Sequence, residues 1–84
     1  MANYIFPAIF DPGDDGEDGY TVTFPDLLGC ITEGDDMEEA VFMAKDALAG
    51  FLFVMEEDDD PIPAASKPGD IELLPGAFVS IIEV

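Results

Sequence analysis

The chain switches between two spacings of apolar residues, and the breaks between them fall where turn-forming residues cluster. Tyr4 to Phe10 is aromatic and β-branched almost throughout and predicts a strand. Pro7 has no N–H to give to a ladder, so it marks a bulge or a position facing an open edge. Residues 11–19 are loop on turn chemistry alone. Tyr20 to Phe24 alternates strictly, with Tyr20, Val22 and Phe24 on one face and Thr21 and Thr23 on the other. That is a half-buried antiparallel strand, and the two runs predict a hairpin with an acidic, glycine-rich tip. Pro25 to Gly29 turns the chain, Cys30 to Glu33 predicts a short third strand, and Gly34 ends it.

The spacing then changes to that of a helix. Ala40, Val41, Ala44, Leu48, Phe51, Leu52 and Met55 draw one broad apolar stripe, predicting a helix over about residues 37–55. Asp36 and Glu39 have capping-box spacing, and Glu38 and Glu39 sit where the helix dipole favours negative charge. Met37, Met43 and Met55 read as core filler. The acidic run Glu56 to Asp60 occupies the end that the dipole disfavours and reads as a flexible, solvated connection. Pro61 and Pro63 stop the helix, Ile71 to Leu74 is a strand candidate, Pro75-Gly76 is a turn, and Ala77 to Val84 is the final strand. The expected class is α+β in the order β-β-β-α-β. A three-stranded antiparallel meander is followed by a helix packed on one sheet face. A right-handed crossover through that helix returns the last strand parallel to the first. The face carrying Thr21 and Thr23 is expected to stay open.

Composition adds a charge to this frame. Twenty acids face two bases, Lys45 and Lys67, for a formal net charge of −18 over 84 residues. Fifteen of the acids lie in three short clusters, at 11–18, 33–39 and 56–60, so they sit on the connections rather than in the elements. Hydrophobic residues make up 49% of the chain, which argues for a folded domain rather than charge-driven disorder. The length predicts one domain across residues 1–84. A chain this acidic cannot neutralise phosphates, which excludes direct nucleic-acid binding and an anionic membrane surface. No apolar stretch is long enough to span a bilayer. The start of the chain lacks a basic region, so no signal peptide is expected. Cys30 is the single cysteine, so no internal disulfide forms and the cytoplasm is the simplest compartment.

The chemistry open to such a chain is narrow. With no histidine, every His-based triad and zinc site is excluded. An EF-hand frame begun at Asp11 or at Asp14 lacks its third and twelfth ligands. The strand order resembles the ribonuclease H topology, whose two-metal chemistry needs carboxylates converging on the sheet. Here the first strand has none between Tyr4 and Phe10, and Asp11, Asp26 and Glu33 stand only at strand ends. Cys30 has no basic neighbour to activate it and reads as a small hydrophobe. Neither a catalytic residue nor a cofactor or metal site is expected.

The segment Gly19 to Ala40, reading GYTVTFPDLLGCITEGDDMEEA, is a long ordered series. A glycine and an aromatic residue open a strand; Phe-Pro-Asp-Leu, a Gly-Cys step and Thr-Glu-Gly-Asp follow; Glu-Glu-Ala opens the helix. In this series the chain resembles the HicB-type antitoxin family, and the flanks, Tyr4 to Ala8 and Ile62-Pro63 with Ser66, agree. The resemblance implies a partial ribonuclease H-like fold without the nuclease acids. It also implies a cytoplasmic antitoxin and a homo-oligomer, dimer or tetramer. The implied partner is a small, basic, double-stranded-RNA-binding-like toxin of the HicA type that cleaves messenger RNA. Leu28 stands where many members carry proline. Many members also continue into a DNA-binding module, and none is expected in this chain. The alternative is a HicB-like binding or structural module that self-associates through a sheet edge without a toxin. For the antitoxin role the expected partner surface is Phe24, Pro25, Asp26 and Leu27 at the strand-end turn, with Glu33 and Asp35 beside it. The apolar residues there would supply affinity, and the acids steering.

Overall fold

The apolar runs of the sequence become elements, with Ile71 to Leu74 the exception. A computed structural model describes residues 4–12 and 19–84. They form β1 (Ile5–Asp11), β2 (Tyr20–Thr23), β3 (Ile31–Gly34), α1 (Met37–Glu57), a 3-10 turn at Pro68–Asp70 and β4 (Phe78–Glu83). The hairpin tip with Asp14, Asp15, Glu17 and Asp18, and the EF-hand frames across it, fall outside the described residues.

The strands make one sheet in the order β3-β2-β1-β4. Val22 stands opposite Phe10 on one side and Thr32 on the other, while Phe6 faces Ile82. Every second residue therefore shares the face under α1. Ala40, Ala44, Leu48 and Leu52, one helical turn apart, pack there on Phe6, Ala8, Phe10, Val22, Phe24 and Ile82. Each large side chain so buried contributes about 1.5–3 kcal/mol. Gly34 sets how closely helix and sheet approach, since a Cβ there would lie 2.4 Å from the Ala40 nitrogen.

Pro7 sits in the middle of the sheet, and the ladder shows how it is tolerated. Tyr4 and Val84 exchange both main-chain hydrogen bonds, at 3.1 and 3.0 Å. Antiparallel alternation then points the backbone groups of Phe6, Ala8 and Phe10 at β4, and those of Pro7 toward β2. In that register Pro7 lies level with Pro25, beyond the end of β2 at Thr23. The missing donor thus has no ladder partner to lose.

Two expectations about the second half of the chain are corrected. β4 runs antiparallel to β1, not parallel, with Phe78 beside Phe10 and Glu83 beside Ile5. α1 is 21 residues long and carries the chain down the sheet by about 31 Å. A strand entering directly from the helix end would indeed lie parallel to β1. Instead residues 58–77 bring the chain back to the end where β1 finishes, so β4 starts beside Phe10. Ile71 to Leu74, expected as a strand, is part of this return leg and pairs with nothing in the sheet. The leg crosses part of the face carrying Thr21 and Thr23, while Thr21, Ile5 and Ile81 on that face stay exposed. Glu72, Leu74 and Ala77 close with Ile9, Asp11, Thr21 and Thr23 around a cavity of about 250 Å³.

Candidate partner-binding surface

The turn between β2 and β3 is built from two fused reversals. The Phe24 N–H donates to the Cys30 carbonyl at 3.2 Å and holds the base. The Leu27 N–H donates to the Phe24 carbonyl at 3.0 Å, closing a turn whose second residue is Pro25. The fixed φ of proline suits that position. The Cys30 N–H donates to the Leu27 carbonyl at 3.0 Å, closing a second turn around Leu28 and Gly29. Gly29, at φ +94°, occupies the third position, where a type II turn needs the left-handed region. Leu28 is its second residue and is 98% exposed.

The six expected contact residues divide between two places. Phe24 and Leu27 are buried in the core under the turn, and exposed Pro25 and half-buried Asp26 form its surface. Asp26 accepts a hydrogen bond from the Ser66 N–H at 2.8 Å and another from the Ser66 hydroxyl. It thereby ties the turn to the return leg forty residues away. Glu33 and Asp35 are both exposed, but β3 carries them away from the turn. They stand instead with Asp36, Glu38 and Glu39 at the start of α1, so the six do not form one patch.

Cys30 is buried against the helix, where its thiol approaches the Ala47 carbonyl at 3.8 Å. Burial pushes the Cys30 thiol up from its ordinary value, so it stays protonated at neutral pH and is a poor nucleophile. Partial burial, and then the Glu56 carboxylate at 3.4 Å, push the Tyr4 phenol up in the same direction. Among the described residues no three carboxylates or thiols lie close enough to hold a metal ion. Among the same residues no helix is long and apolar enough to cross a membrane.

One surface escaped the sequence reading. β3 ends the sheet, and α1 overhangs its free side to form a groove of about 530 Å³. Ile31 of β3 and the preceding Cys30 line it on one side, and Ala47, Gly50, Phe51 and Val54 of α1 on the other. Gly50 is the surprising member. A glycine inside a helix costs roughly 0.5–1 kcal/mol relative to alanine. A Cβ at Gly50 would meet nothing within 4 Å, so the packing of this chain does not require the glycine. The signals for this surface were Gly50 itself and Val54, an apolar residue off the helical stripe.

Comparison with known proteins agrees with this architecture. Residues 6–77 match the family described as the HicB-like antitoxin of bacterial toxin–antitoxin systems. Antitoxin HicB 1 of Photorhabdus laumondii is 39% identical over 69 residues, covering 82% of this chain and 43% of that protein. The chain therefore spans less than half of that relative's length. A toxin–antitoxin complex from Streptococcus pneumoniae contains a chain of the same fold. The TM-score is 0.85 at 24% identity, over 98% of this chain and 69% of that one. The N-terminal domain of Burkholderia pseudomallei antitoxin HicB superposes with a TM-score of 0.78 at 25% identity, over 96% of this chain and 98% of that domain.

Proposed function

The chain belongs to the HicB-like antitoxin family, and we propose that it binds and neutralises a small, basic, mRNA-cleaving toxin of the HicA type. The family match over residues 6–77 carries this reading. The net charge of −18 supports it, because a surplus of one sign speeds encounter with a partner of the other. In this reading the chain acts in the cytoplasm as one domain, residues 1–84, masks its partner rather than doing chemistry, and makes no contact with nucleic acid itself. Pro25 and Asp26 meet the toxin at the β2–β3 turn, which the buried Phe24 and Leu27 hold from beneath. Glu33 and Asp35 act as a separate acidic rim that steers the approach.

The test is to mix the purified chain with the basic protein encoded beside its gene. A stable complex at low salt and loss of the neighbour's ribonuclease activity are expected. Association should slow steeply with added salt, as electrostatic steering requires. No complex, with undiminished ribonuclease activity, would sink the reading.

A second reading, self-association into a dimer or tetramer, is favoured by β4. Antiparallel alternation points the backbone groups of Val79 and Ile81 off the sheet, and an unpaired edge is a pairing template. A monomeric profile across a concentration series in analytical ultracentrifugation would remove it.

A further inference from the structure

We infer that the free edge of β3 and the overhanging flank of α1 form a docking groove for an extended, apolar segment of a basic partner protein, which pairs with β3 as an added strand. The inference deepens the proposed partner binding and rests on it for the partner's basic character.

Three observations converge on this groove. The first is the edge itself. The bond from the Phe24 N–H to the Cys30 carbonyl, at 3.2 Å, sets the phase of the β2–β3 ladder. Cys30, Thr32 and Gly34 therefore direct their main-chain groups at β2, and Ile31 and Glu33 direct theirs outward. An outward N–H and C=O on alternate residues are what an added strand pairs with.

The second is Gly50. The fold does not need a glycine there, and the open space around it is the groove. Glycine in such a place admits the close approach of another chain. Apolar surface adjoins it on α1, where Val54 is 56% exposed and Phe51 is half-buried. Side chains of an added strand alternate between its faces, so every second one would enter the groove beside Gly50.

The third is charge. Asp46 and Asp60 are the charged residues of the groove wall, and among the described residues neither lysine reaches it. A second copy of this chain would bring its own acids against these, whereas lysine or arginine flanking an apolar strand would meet them favourably. The charge thus selects a basic partner over self-pairing.

The experiment is a titration of the isotopically labelled chain, at low salt, with two probes. One is the basic protein encoded beside the gene. The other is a synthetic peptide, Lys-Val-Thr-Val-Thr-Val-Lys. Both should shift the Ile31 and Glu33 amides and slow their hydrogen exchange. Perturbation centred on Val79 and Ile81, or spread over no strand edge, would overturn the groove assignment even where a complex forms. Peptide bound at β3 with the neighbour unbound would uphold the groove and sink the toxin reading; neither bound would overturn both.

Gly50→Ala separates docking from folding. It should raise Tm by roughly 4 °C, because the helix gains a better former without a clash. It should also weaken both probes by at least about tenfold, because the methyl group fills the approach. Unchanged affinity in a stabilised variant would overturn the inference. Phe53→Lys, on the outer side of α1, should leave binding unchanged. A wild-type dimer that Gly50→Ala dissolves would assign the groove to a second copy and also overturn it.

Discussion

The two ends of α1 carry similar acids and use them in opposite ways. At the start, the Asp36 carboxylate accepts the Glu39 N–H at 2.7 Å, and the Glu39 carboxylate accepts the Asp35 N–H at 3.0 Å. The reciprocal bond reaches one residue further out than the expected capping box, to Asp35 instead of Asp36. The first bond satisfies a backbone donor that the helix leaves orphaned, the second fixes the residue before the cap, and the dipole favours the charge of both acids. At the far end five consecutive acids, Glu56 to Asp60, meet the opposite sign of dipole, and the last turn holds no base.

The run is not wholly a connection, since Glu56 and Glu57 are the last residues of α1, and all five acids are exposed, as expected of a solvated run. The Asp60 N–H donates to the Met55 carbonyl at 2.9 Å and the Asp59 N–H to the Glu56 carbonyl at 3.2 Å, a Schellman cap made by backbone alone. Asp59 adopts the left-handed φ of +56° that this cap demands and that glycine prefers. The difference teaches that acidity is structural at one end and costly at the other. Of these five acids Asp60 reaches the groove wall.

Three variants can break or sharpen this contrast, in order of expected size. Asp36→Ala should cost about 1 kcal/mol by removing the side-chain cap, read as a lower midpoint in urea with an unchanged slope. A neutral result would erase the distinction, because the start of the helix would then be no more dependent on its acids than the end. Asp59→Gly should stabilise by about 0.5–1 kcal/mol, since the left-handed conformation loses its Cβ penalty while the backbone cap remains. Destabilisation would mean that the Asp59 side chain contributes to the cap. Glu57→Lys should stabilise by about 0.5 kcal/mol at low salt by reversing the charge against the dipole. The gain should fade near 1 M salt, where the screening length is about 3 Å. A gain that survives salt would have to come from packing rather than from charge.

Much of the fold was legible because its signals are local. The alternation of Tyr20, Val22 and Phe24 named a strand and its buried face. The stripe from Ala40 to Met55 named the helix and the residues it buries, and Asp36 marked its start within one position. The direction of β4 was not legible. It depends on residues 58–77, which have no periodicity, and Ile71 to Leu74 has strand-like composition without any strand to pair with.

The candidate site divides in the same way. Pro25 to Gly29 announced a turn, and a turn is there. Its grouping with Glu33 and Asp35 was not legible, because nearness in sequence becomes separation once β3 runs straight between them. The groove was invisible for a related reason. Gly50 in a helix looks like a mere weakness until β3 is known to be an edge and the space beside it is known to be empty.

The sequence alone therefore determined what each short segment prefers: strands by alternation, the helix by its stripe and cap, turns by proline and glycine, and an acidic surface by count. Those preferences depend on neighbours within a few residues, so they can be read without a fold. Only the tertiary structure decided that β4 is antiparallel, that the return leg crosses part of the second face, and that β3 presents a free edge under an uncrowded flank of α1. Those facts depend on contacts between segments far apart in the chain, whose free energy appears only when the whole sheet is assembled.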